Sequence, residues 1–429
     1  MKKKVKVVLI LILLIAGFVA IQTKIVTVPQ REQPYSEFWK QTYRYDVWLM
    51  GTSHMYYGVY PLELYEQFGI SSYNIGAPSS FLPQTYWTLK CALEKGSNPD
   101  VLVVDVYHVH QDYKLVMQPE KVNTGLASIP FSWNKISAIN DMMGGKDLKT
   151  RLSYMLPYSI FNEQRMVDNY SIAFNTRKGC NFKPKIYSKL SMGKLKKTDY
   201  YPDTTLGYDY LEKIIKLCQK KDINLVLTAW PAIFRKSKEA MKGMNVVEEY
   251  AKKYNVPFIN SCFVDGLFDL ETDIADWASH LNPKGAAAAT KYLGKYLKKK
   301  YELTDYRKTD DKTHKYWEKS LDDYTEQFRL SLSSCDSLPS YLLCLTDGTY
   351  RAKIFRGTNF KNTPLLKKLI KAVPNRVNIN RATAERYAKN TEGKLIGDTL
   401  IAVFDTRARK YIDVAQFRKE KMVSEIPIK

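Results

Sequence analysis

Cysteine is scarce in this chain: six residues among 429, with no C-x-x-C pair. That excludes a disulfide-dense scaffold and a structural zinc ribbon. No Gly-rich phosphate loop and no metal-ligand spacing occurs, so neither a cofactor nor a metal is expected. Internal repeats and low-complexity tracts are absent as well. Acidic residues are the deficient sign, 44 against 66 Lys and Arg, which leaves a formal charge of +22. Such a balance favours anionic partners: nucleic acid, acidic glycans, teichoic-acid-like polymers or an anionic membrane surface. Beyond the N-terminus there is no long apolar run. At 45% hydrophobic and 26% charged residues, the chain is too apolar to be disordered and too polar to span a membrane repeatedly.

What is present begins with one apolar stretch. Residues 7–21 carry no charge and follow Lys2, Lys3, Lys4 and Lys6. The run is short for a spanning helix, but Gln22, Thr23 and snorkelling lysines can complete it. No A-x-A-like cleavage site follows, so residues 1–24 read as an uncleaved signal anchor in the cell membrane, with a cleaved signal peptide as the rival. The lysines place the N-terminus in the cytoplasm and the bulk of the chain outside. Outside, nucleic acid is not an expected partner, and the basic surplus reads as attraction to an anionic envelope polymer.

Residues 25–45 are polar and read as a stalk. From residue 46 to 300, short apolar runs alternate with helical patterns: DVWLMGTSH, LELYEQFG, SYNIGAPSS, QTYWTLKCALEKG, VLVVDVYHV, YDYLEKIIKLCQKK, INLVLTAWP, VVEEYAKKY, PFIN and NPKGAAAATKYLGKYLKKK. This predicts an α/β domain with a mainly parallel sheet. Residues 111–201 lack clean periodicity and read as a cap or insertion beside the site. Residues 301–337 are strongly charged and read as a linker helix. Residues 338–429 read as a small α+β unit, with LPSYLLCL, YRAKIF and DTLIAVFD as strands and TPLLKKLIKAV as a helix.

Three short segments could carry chemistry. Ser53 follows the first apolar strand in LMGTSHM, at the position where open α/β sheets place ligands; the alternative is a Ser/Thr turn that caps the next segment. His280 lies in a loop just before the last helix of the same unit, with Asp276 four residues earlier. That is the arrangement of a general base with an orienting carboxylate, and Asp273 is the runner-up acid. Gly76 and Asn74, at the end of the second strand, are candidate oxyanion donors together with the Ser53 N–H. Cys335 and Cys344 flank one short segment and could pair.

Together these segments resemble the SGNH hydrolase superfamily, in which Ser opens the domain, Gly and Asn elements follow, and a D-x-x-H motif closes it. The order GTSH, YNIGAPSS, P..LVVDV, I.LVLT..P and SHLN..GA is similar to that of membrane-anchored SGNH-like proteins of bacterial cell envelopes. These include teichoic acid D-alanyl transfer and alginate-type O-acetylation proteins. The resemblance covers about residues 46–300 and implies a three-layer, flavodoxin-like fold, with Ser53 as nucleophile, His280 as base and Gly76 and Asn74 at the oxyanion hole. The chain departs from the pattern twice. Trp277 stands where the family acid usually lies, and Asp105, His108 and His110 stand where an Asn-bearing block is usual.

The expected function is therefore acyl transfer to, or ester hydrolysis on, hydroxyls of an extracytoplasmic polysaccharide or teichoic-acid-like polymer. The resemblance also implies a membrane-bound O-acyltransferase as partner. A catalytically inactive, glycan-binding or scaffolding protein of the same fold is the alternative.

Overall fold

The computed structural model describes residues 2–21, 35–40, 42–109, 126, 128–143, 145–155, 176–190, 206–231, 238–389 and 393–427. Helix α1 (Lys2–Ile21) forms from the basic and apolar N-terminal run, and Val7, Leu9 and Ile12 are exposed on it. Among the described residues no helix is long and apolar enough to cross a membrane, so the expected spanning anchor is not seen.

Five strands, β1 (Val47–Met50), β2 (Ser72–Asn74), β3 (Val101–Asp105), β4 (Asn224–Ala229) and β5 (Phe258–Asn260), make one sheet in the order β2-β1-β3-β4-β5. Every pairing in it is parallel. The strand order reverses between β1 and β3, and a doubly wound sheet opens a crevice at such a switch point, outside its carboxyl edge.

Strand residues alternate between two apolar layers, as the period of two requires. Val47 and Leu49 pack with Met55, Leu64, Ala286 and Leu293 of α3 (Ser53–Gly58), α4 (Pro61–Phe68) and α10 (Pro283–Lys300). Trp48 and Met50 face the opposite layer. There Leu89, Leu211, Ile214, Met244 and Val247 come from α5 (Leu82–Leu93), α8 (Leu206–Lys220) and α9 (Lys238–Lys253). The result is the expected three-layer α/β unit.

The folded unit starts earlier than the expected stalk allows. Helix α2 (Ser36–Lys40) buries Phe38 and Trp39, and Phe38 packs edge-on against Trp48 with ring centroids 5.1 Å apart. The buried rings of Tyr35, Phe38 and Trp39 outweigh the polar composition that suggests a stalk. Of the expected cap, the described parts are α6 (Trp133–Met143), α7 (Leu148–Met155) and residues 176–190. The last of these meets the sheet edge, where Asn74 N donates to Lys178 O at 2.9 Å, and continues to the loop before α10, where Tyr187 N donates to Ile274 O at 2.8 Å.

The charged stretch after residue 300 is not a linker. Helix α11 (Lys312–Ser333) buries Trp317, Leu321, Tyr324, Phe328 and Leu332 in the same hydrophobic cluster as Trp48 and Tyr73. Its charges lie on the outer face, and the apolar stripe at helical spacing is what the charge count concealed. The segment LPSYLLCL is likewise not a strand but helix α12 (Leu338–Cys344), with Pro339 in its first turn.

The remaining elements are β6 (Tyr350–Arg356), α13 (Pro364–Ala372), β7 (Val377–Asn378), α14 (Arg381–Lys389), β8 (Thr399–Asp405), β9 (Lys410–Arg418) and β10 (Lys421–Pro427). Their strands form a mixed sheet ordered β10-β9-β8-β6-β7, antiparallel except for the β6–β7 pair. Ile354, Ile401 and Phe417 of this sheet belong to the cluster that holds α11, so the two units share one core.

Candidate active site

The turn after β1 is tight because Gly51 permits it. Its φ is +133°, and a Cβ there would lie 2.8 Å from both the Cβ and the backbone oxygen of Asp105 on the neighbouring strand. Only glycine fits such an approach. Thr52 then caps α3: its Oγ1 accepts from His54 N at 3.1 Å and donates to Asp105 Oδ2 at 2.5 Å. Asp105 therefore braces the turn from beneath. Burial pushes its carboxyl up to about 7, against the opposing hydrogen bonds from Thr52.

This turn presents Ser53 as the first residue of α3, at the carboxyl edge beside the switch point. The Ser53 hydroxyl lies 2.8 Å from His280 Nε2. On the other side of the ring, Nδ1 lies 2.8 Å from Asp276 Oδ2. Residues 53, 276 and 280 thus come together from opposite ends of the α/β unit in a serine–imidazole–carboxylate relay.

The loop that carries the base is held from several sides. Ile274 and Leu281 pair across it, and Ala275 N donates to His280 O at 2.8 Å. Ser279 N donates to Asp276 O at 3.1 Å, closing a β-turn, with Ser279 in the left-handed region at φ +63°. The second carboxylate oxygen, Asp276 Oδ1, accepts from Ala278 N at 2.9 Å and His280 N at 3.3 Å. Asn282 caps α10 through Gly285 N and ties the loop to Thr272 O and Lys185 O. The extra residue between Asp276 and His280 is accommodated by this turn, so the carboxylate still reaches Nδ1.

Asp276 has a third partner, the Lys183 ammonium. Although burial opposes it, hydrogen bonds from His280 and Lys183 hold the Asp276 carboxyl well below the usual carboxylate range. An acid held ionised in this way keeps the His280 tautomer with its proton on Nδ1 and leaves Nε2 free to accept from Ser53. Asp273, the runner-up, is engaged elsewhere: it accepts from Asp269 N and Thr272 Oγ1 and pairs with Lys284.

The expected oxyanion donors are corrected here. Asn74 is fully buried, its amide donating to Met55 O at 2.8 Å and Val59 O at 2.9 Å, while its Oδ1 accepts from Gly76 N at 2.9 Å. Both groups are committed to locking α3 onto β2, and neither is left for a developing negative charge. Gly76 is glycine for packing, since a Cβ would come within 2.8 Å of Tyr56 N. The Ser53 N–H, in the first turn of α3, has no acceptor among the described residues and remains the candidate donor.

Two participants escaped the sequence reading. His54 is buried beside the site, its ring stacked 3.5 Å from that of Tyr107 and 5.0 Å from that of His280. Burial, then the neighbouring His280 and His108, push its pKa well down, so it is neutral. Its Nε2 lies 3.2 Å from Ala278 O, which assigns the proton to that nitrogen and fastens the turn behind Asp276. Lys183, from the insertion, is the other. His108 stands 6.1 Å from the His54 ring, and His110 lies outside the described residues. Among the described residues no three His, Cys, Asp or Glu side chains gather to hold a metal ion. No protein-family model matches this chain, and no curated protein matches it in sequence.

Proposed function

We propose that the chain is a serine-dependent O-acyltransferase or esterase of SGNH type, acting on esters or hydroxyls of an anionic cell-envelope polysaccharide or teichoic-acid-like polymer. The observation that carries this reading is the continuous relay from Ser53 Oγ through the His280 ring to Asp276, with both links at 2.8 Å. Ser53 Oγ attacks the acyl carbonyl while His280 Nε2 takes its proton. The tetrahedral oxyanion is met by the Ser53 N–H, and Asp276 stabilises the imidazolium without itself being protonated. Collapse breaks the bond to the leaving oxygen or sulfur, which receives the proton from His280, and leaves an acyl-serine. A sugar hydroxyl or water then gives its proton to His280 and attacks the acyl carbon, and the bond to Ser53 Oγ breaks as His280 returns the proton to that oxygen.

Charge and the N-terminal helix support the setting. Residues 338–429 hold 19 Lys and Arg against 8 Asp and Glu, so +11 of the total +22 lies in that unit. A surplus of that size in a small unit suits an anionic polymer. The lysine-led helix α1, with its exposed apolar side chains, supports attachment at a cell membrane, beside a membrane-bound O-acyltransferase that supplies acyl groups.

The test is labelling of the full chain with a fluorophosphonate. Wild-type protein should be modified at Ser53, and Ser53→Ala and His280→Ala should not label. Equal labelling of wild type and Ser53→Ala, or none in a folded wild type, would favour the glycan-binding scaffold instead.

A further inference from the structure

The turn that carries Asp276 and His280 also carries a large apolar ring that belongs to no hydrophobic cluster of the described residues. Trp277 is 78% exposed, the second residue of the β-turn that Ser279 N closes onto Asp276 O. We propose that Trp277 is the platform on which a sugar ring of the substrate lies while its ester or hydroxyl reaches Ser53. The proposal rests on the ester-chemistry reading above and names a carbohydrate as the substrate class of that site.

Three observations lead there. The first is cost: a solvent-facing indole keeps a large apolar area hydrated, which is unfavourable until something covers it. The second is rigidity. The turn is fixed by Asp276 Oδ1 accepting two backbone N–H groups, by the Ala275–His280 bond, and by Ser279 Oγ lying 3.2 Å from the Tyr107 hydroxyl. The ring is therefore mounted on the same stiff element as two members of the relay, one residue from the carboxylate and three from the base. The third is the company that the base of the same loop keeps. Tyr57 sits 5.1 Å from the His280 ring, and the Lys183 ammonium lies 5.5 Å from the Tyr57 ring. An acyl chain is recognised by enclosure in an apolar cavity. An exposed aromatic ring at a turn tip, on a loop whose base and acid meet a phenol and an ammonium, instead suits the C–H face of a pyranose whose hydroxyls reach polar groups nearby.

Two measurements on the full chain test this. In the first, wild type and Trp277→Ala are compared on partially O-acetylated xylo-oligosaccharides, 4-nitrophenyl acetate and 4-nitrophenyl octanoate. The ratio of kcat/KM for the oligosaccharide to that for 4-nitrophenyl acetate should fall about tenfold or more, mainly through KM, the scale for truncating an aromatic anchor. Trp277→Phe should recover most of the loss. A ratio that does not move overturns the proposal, as does a selective loss on the octanoate, which would place the acyl chain on the ring. In the second, Ser53→Ala is titrated with unacetylated xylo-oligosaccharide while Trp fluorescence is followed. A saturable change that disappears in Ser53→Ala/Trp277→Phe supports the platform even if no ester is turned over, and no change overturns it even if the esterase reading stands.

Discussion

Replacing Gly51 by Ala should damage stability and chemistry together. The added Cβ would begin 2.8 Å from Asp105 Cβ and Asp105 O and 3.0 Å from Asp105 N, atoms of a central strand that cannot step aside. To reach an ordinary contact of 3.4 Å, the turn must retreat by about 0.6 Å. A non-glycine residue at φ +133° adds backbone strain of about 1–3 kcal/mol, and overpacking adds about 1–3 kcal/mol more. Together these predict a loss of roughly 2–6 kcal/mol, read as a lower urea midpoint at unchanged slope. The same retreat carries Thr52 and Ser53 with it. Because a misplacement near 1 Å can cost about a hundredfold in rate, fluorophosphonate labelling of the fraction still folded should slow by roughly ten- to a hundredfold. A Gly51→Ala protein within about 0.5 kcal/mol of wild type and labelling at the wild-type rate would refute the account of the turn.

If Ser53, His280 and Asp276 act as one relay, Ser53→Ala, His280→Ala and the double variant should lose similar activity in an ester-hydrolysis assay. Asp276→Asn should lose at least about a hundredfold, and retention of rate would reduce the site to a dyad. The folded Asp105 carboxyl sits at about 7 against an unfolded value of 3.8, so the folded state binds the extra proton between those values. Stability from this group is present below the unfolded value and is lost as pH rises towards 7. Asp105→Asn should flatten that part of the urea midpoint against pH, and an unaltered profile would count against the buried, protonated carboxyl. Trp317→Ala should cost about 3–5 kcal/mol in chemical denaturation, because the ring is fully buried between the units and its Nε1 donates to Ser71 Oγ at 3.0 Å. A mild effect would mean that α11 is a detachable linker after all.

The relay was legible because its parts are punctuated. Gly51 and Thr52 mark a tight strand-to-helix turn, and Asn282 with Pro283 marks the start of α10, so the nucleophile and the base sit beside recognisable boundaries. The alternation of buried strands and amphipathic helices likewise marked the α/β unit and its parallel sheet. What escaped depends on partners remote in sequence. Asn74 reads as an oxyanion donor until Met55 O and Val59 O are found to occupy its amide. Lys183 lies in a stretch without periodicity and acquires its role only by meeting Asp276 across 93 residues. Helix α11 is legible as a helix but reads as a linker, because charge count weighs its outer face, whereas Trp317, Tyr324 and Phe328 decide where it packs.

That helix has a bearing on how the chain matures. Ser53 and the base it needs are 227 residues apart, and the cluster that steadies the first strands is completed only by side chains as late as Leu332 and Phe417. Contacts of such long range form slowly and late, after the intervening loops have been closed. A nascent chain therefore carries an ordinary, unactivated serine through most of its synthesis. The relay geometry itself exists only once residues 276–280 have been made and have docked beside the first strand, so products shortened before that loop would lack it.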